Sequence, residues 1–78
     1  MAVDLEILKQ TLLNSFKDAK VELIDEAGDG NHLFLHIITE EFKELSKLNR
    51  HKLIYDVLKE HMPYIHALSI KAETINGD

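Results

Sequence analysis

The chain has 78 residues, 45% of them hydrophobic and 29% charged, with a formal net charge of −5 and no cysteine. That is the length of one domain of ordinary globular composition with a small core, since a chain this size buries roughly 60–65% of its unfolded surface. The acidic balance counts against non-specific binding to phosphate backbones, and the lack of cysteine excludes disulfides, thiolate nucleophiles and thiolate metal ligands.

Residues 4–19 have the spacing of an amphipathic helix: Leu5, Leu8, Leu12 and Phe16 fall on one face, and Asp4 is placed to cap it. The opening MAVDLEILKQ carries an acid early and no basic region before its apolar residues, so no signal peptide is expected. No apolar run is long enough to span a bilayer, and the composition fits a cytoplasmic protein. Residues 21–26 alternate as a short strand, with Val21 and Leu23 on one face and Glu22 and Ile24 on the other. Ala27-Gly28-Asp29-Gly30-Asn31 is a turn, and residues 32–39 form a second strand, apolar on both faces and therefore central. The short connection makes the two an antiparallel hairpin.

Residues 40–49 connect to a second helix, with Phe42 docking on the core. That helix has Leu53, Ile54, Val57, Leu58 and Met62 on one face and is expected to end at Pro63, with His61 in its last turn. Residues 65–72 then alternate as a third strand, with His66, Leu68, Ile70 and Ala72 on one side. A strand, a crossover helix and a strand join as a right-handed parallel unit. The expected fold is α+β, one domain over residues 1–78. It is a KH-like plait with a three-stranded mixed sheet, the first pair antiparallel and the second parallel, under two main helices.

Catalytic patterns are lacking, and no enzyme activity is expected. Ser15, Ser46 and Ser69 have no nucleophile-elbow glycines, and Gly28-Asp29-Gly30 precedes a strand and lacks the lysine of a phosphate loop. The carboxylate pairs Asp25-Glu26 and Glu40-Glu41 read as solvated. Lys43, Lys47, Arg50 and Lys52 form a local basic patch, which is either a solvated helix entrance or a phosphate-contacting surface. A Gly-x-x-Gly clamp of the KH kind is missing, because all three glycines, at 28, 30 and 77, lie outside any helix–helix junction.

Five histidines remain. His61 suits a helix C-terminus, His51 lies near the start of the same helix, and His36 is mid-strand on the face away from the helices. His32 and His66 each open a strand, and parallel neighbours start at the same end of a sheet. Singly they are surface or turn histidines; together they are a candidate metal pair. Two imidazoles do not complete a tetrahedral site, so further ligands would have to come from another molecule.

Arg50-His51-Lys52, Ile54-Tyr55 and Ile65-His66-Ala67-Leu68-Ser69-Ile70-Lys71 stand in an order and at a spacing that resemble the BolA family, as do Gly28-Asp29-Gly30-Asn31-His32 and Phe42. The resemblance covers nearly the whole chain and implies the same plait. It also implies pairing with a monothiol glutaredoxin around a shared 2Fe–2S cluster. The family's histidine of the His-Ala-Leu strand entry falls on His66, and its loop histidine or cysteine falls on His32. The partner and glutathione would then supply the remaining ligands, with no cofactor in the isolated chain, which would be a monomer or a weak dimer. The resemblance also implies the alternative of a DNA-binding transcriptional regulator using Lys43, Lys47, Arg50 and Lys52. Two departures are expected to matter. Glu44 stands where the family has glycine, so that turn is expected to be made differently. Thr74-Ile75-Asn76-Gly77-Asp78 replaces the run that leads into a further helix.

Overall fold

The computed structural model describes residues 3–78. Its elements are α1 (Leu5–Ser15), β1 (Lys20–Asp25), β2 (His32–Ile38), a 3-10 turn (Glu40–Phe42), α2 (Lys47–Val57), a second 3-10 turn (Met62–Tyr64) and β3 (Ala67–Glu73). The sheet order is β1-β2-β3, with β1 antiparallel and β3 parallel to the central β2. This is the expected topology of the KH-like plait.

The alternation along β2 decides which face is covered. Leu33, Leu35 and Ile37 are fully buried and share one cluster with Leu8, Leu12 and Phe16 from the α1 side and Ile54 and Leu58 from the α2 side. Both helices therefore cover one face of the sheet. The other carries His32, Phe34, His36 and Ile38, all half-buried. Phe42 seals the core at the far end, packed edge-on against Phe16 with ring centres 5.3 Å apart. Asp4 caps α1, its side chain accepting from the backbone N–H groups of Glu6 and Ile7.

Several boundaries differ from expectation. α1 ends at Ser15, and Phe16 leaves the helix while remaining in the core. α2 ends at Val57, well before Pro63. Leu58 and Ile65 must both reach the core, and two tight turns, the second containing Pro63, achieve this. His61 consequently lies outside α2, just ahead of the 3-10 turn, and has no role at a helix C-terminus. Leu53, assigned to the apolar face, is 36% exposed; the buried line of α2 runs through Arg50, Ile54 and Leu58. β3 starts at Ala67, so His66 precedes the strand instead of opening it.

Glu44 takes the left-handed conformation, with φ of 70°, and the chain continues to Ser46, whose side chain caps α2. A non-glycine residue pays about 1–2 kcal/mol in that region, while glycine loses about 0.5–1 kcal/mol of backbone entropy on ordering. Glu44→Gly should therefore stabilise the protein by about 0.5–1 kcal/mol, seen as a higher urea midpoint at unchanged slope. A lower midpoint would mean that the glutamate side chain makes a contribution of its own.

Candidate metal centre

The end of the sheet where β2 and β3 begin is built by hydrogen bonds from the preceding hairpin turn. Gly28 and Gly30 take φ near +70°, which their lack of a Cβ permits. Asp25 closes the turn: its carboxylate accepts from the backbone N–H of Asp29 at 3.2 Å and of Gly30 at 2.7 Å. Asp29 in turn accepts through Oδ1 from the N–H groups of Asn31 at 2.8 Å and His32 at 3.2 Å. Its Oδ2 lies 3.0 Å from Nδ1 of His32. The Asn31 N–H is the main cause holding the Asp29 carboxyl below the usual aspartate range, with the His32 ring adding to it.

His66 arrives from the other side, after the turn that carries Pro63 and Tyr64. The register pairs His32 with Ala67, so His66 is offset by one residue from its expected neighbour. Because His66 is not yet in the strand, its ring still meets that of His32, with centres 5.0 Å apart and planes inclined at 56°. Both line an open groove of about 500 Å³ with Asn31, Pro63, Tyr64 and Ile65. The His32 side chain is 44% exposed, so both rings can be reached from solvent.

The same order of elements and motifs recurs in known proteins. The family model for BolA-like proteins matches residues 2–76. The chain belongs to the BolA-like family. An uncharacterised Rickettsia prowazekii protein is 36% identical over 76 residues, which span 96% of this chain and 99% of that one. The Escherichia coli DNA-binding transcriptional regulator BolA is 30% identical over 78 residues, spanning 90% of this chain and 74% of that one. The solved BolA domain of SufE1 from Arabidopsis thaliana superposes with a TM-score of 0.73 at 29% identity, covering 91% of each chain.

The 5.0 Å between the two ring centres is compatible with both imidazoles facing one ion. Two imidazoles bound at about 2.1 Å to one tetrahedral ion have ring centres roughly 5 Å apart. Among the described residues, no group of three or more His, Asp or Glu side chains converges on a point, so an ion held by His32 and His66 needs ligands from outside the chain. Asp25, Asp29 and Tyr64 were not assigned to the site from the sequence, although two aspartates flanking a Gly-containing turn are a recognisable side-chain–backbone turn signal.

The remaining candidates are dispersed. His36 lies on the uncovered face, its Nε2 2.6 Å from Glu73 Oε1. His51 is half-buried beside a groove between α2 and the outer edge of β3. Lys43, Lys47 and Lys52 are exposed. Arg50 does not belong with them: it is only 7% exposed, and its guanidinium donates to the backbone oxygens of Leu45, Ala72 and Asp78. The basic patch is thus reduced to three lysines.

Proposed function

We propose that this protein is a non-enzymatic adaptor that pairs with a monothiol glutaredoxin and shares a bridging 2Fe–2S cluster, with His32 and His66 binding one iron. The observation that carries this is the approach of the two rings, 5.0 Å apart in an accessible groove at one end of the sheet. A glutaredoxin cysteine and a glutathione thiol would supply what a cysteine-free chain lacks. Imidazole is neutral where thiolate is anionic, so replacing two thiolates by two imidazoles gives the shared cluster a higher potential than an all-thiolate one. The chain's own part is to bring two imidazoles together and leave the groove open to a partner. The test is co-purification with a monothiol glutaredoxin and glutathione, followed by visible absorption and circular dichroism. A stable heterocomplex should show a spectrum distinct from that of the cluster-loaded glutaredoxin alone. Failure to form a complex, or a spectrum identical to the glutaredoxin's own, would overturn the proposal.

A second role, DNA binding, is favoured by the likeness to the Escherichia coli regulator and by the three exposed lysines. Three phosphate contacts predict a salt slope of about −3 in log K against log salt, small for a specific regulator. Binding to duplex DNA is therefore expected to be weak at physiological salt. A fluorescence titration across salt concentrations checks this, and nanomolar, sequence-selective binding would make regulation the principal function.

A further inference from the structure

We infer that Asp29 is a positioning residue that fixes the tautomer of His32 and makes Nε2 its metal-binding atom. This rests on the ligand role proposed above for His32, and its first test is independent of that role.

A carboxylate can only accept hydrogen bonds, so the contact of 3.0 Å between Asp29 Oδ2 and His32 Nδ1 places the ring proton on Nδ1. Nε2 is then left with its lone pair free. Asp29 is itself held. Its Oδ1 accepts from the backbone N–H groups of Asn31 and His32, and its own N–H donates to Asp25. Order therefore passes from Asp25 to the turn, from the turn to Asp29, and from Asp29 to the ring. Among the described residues the His66 ring has no such partner, so the pair joins one pre-set imidazole to one free to adjust. A carboxylate behind a ligating histidine orients the ring and raises its basicity, and losing such a partner typically lowers metal affinity about 10–100-fold.

Asp29→Asn separates this role from a merely structural one. The amide oxygen can keep the two backbone contacts that shape the turn. Its NH2 group then faces His32 Nδ1 and, being a donor, calls for a lone pair there. The proton should move to Nε2, the atom needed for the metal. Nitrogen-15 imidazole spectra of the free chain, at a pH where its rings are neutral, read this directly. The unmodified chain should show His32 protonated on Nδ1, Asp29→Asn should show it on Nε2, and Asp29→Ala should show a mixture. His32 protonated on Nε2 in the unmodified chain, or an Asp29→Asn spectrum like the unmodified one, would overturn the inference. In the heterocomplex with a monothiol glutaredoxin, Asp29→Asn should lower cluster affinity about 10–100-fold while His66 ligation persists in pulsed EPR of the reduced cluster. Unchanged affinity would overturn the positioning role. Absence of histidine ligation in the unmodified heterocomplex would instead overturn the ligand role of His32, and the free-chain spectra would still decide whether Asp29 sets the tautomer.

Discussion

Arg50→Ala should destabilise the protein by about 2–4 kcal/mol, the largest loss expected from any single residue of its basic segment. The side chain enters the core line of α2 one turn before Ile54. Its Nε donates to Leu45 O at 3.0 Å and one terminal nitrogen to Ala72 O at 3.0 Å, with Asp78 O as a further acceptor. The guanidinium also sits over the Phe42 ring, 5.9 Å from its centre. One residue thus ties together the loop before α2, the end of β3 and the segment beyond it. Hydrogen bonds from a charged donor contribute about 1.5–3 kcal/mol each when intact, and truncation leaves part-buried backbone oxygens without this donor and a void beside Phe42. Total stability of a small domain is about 5–15 kcal/mol, so the loss is a large fraction of it. Urea unfolding would measure it, with Lys43→Ala, Lys47→Ala and Lys52→Ala as exposed controls expected within about 0.5 kcal/mol. An Arg50→Ala loss as small as the controls would mean that the three backbone-oxygen contacts contribute nothing. The same comparison bears on DNA. A binding defect in an Arg50 variant would reflect damage to the fold, whereas one in the lysine variants would reflect lost phosphate contacts.

Arg50 also shows where the sequence stops being legible. Strand alternation exposed the hairpin, the central strand and the parallel crossover, because a period of two leaves little freedom once one face must be buried. The end of α2 was hidden because Leu58 and Met62 continue the helical spacing past the point where the chain turns. Its true core line starts with an arginine, and a hydrophobicity pattern has no means of marking a charged residue that satisfies its donors on carbonyls far away in sequence. Glu44 was obscured in a different way: local preference argues against positive φ for glutamate, and the tertiary placement of Phe42 and Ser46 on either side overrides it. At the candidate site, the meeting of His32 and His66 could be anticipated from topology, since parallel strands begin at one end. Their relative offset could not, because it depends on where β3 starts, and neither could the contact from Asp29, which depends on turn conformation.

His66→Ala and His32→Ala should each remove imidazole ligation by that residue from a cluster shared with a monothiol glutaredoxin. Each should lower cluster affinity by more than the about 10–100-fold typical of outer-shell changes. A reading that sets His66 on a strand and a movable glycine-flanked loop beside His32 ranks His66 as the more important ligand. The structure removes that ground. His32 is the first residue of β2, follows a turn tied down by Asp25 and Asp29, and has its Nδ1 engaged. His66 lies ahead of β3, and its side chain is exposed. Both substitutions should therefore be severe, with His32→Ala at least as damaging as His66→Ala. Both side chains lie outside the core, so unfolding free energies should change by no more than about 0.5 kcal/mol. Protons compete with iron for imidazole, so the unmodified heterocomplex should lose histidine ligation as pH falls, whereas a cluster held only by thiolates should not show that step. Visible circular dichroism and pulsed EPR of the reduced heterocomplex, recorded for both variants across pH, distinguish the cases. Wild-type spectra and wild-type pH dependence in both variants would show that the two rings meet without binding iron.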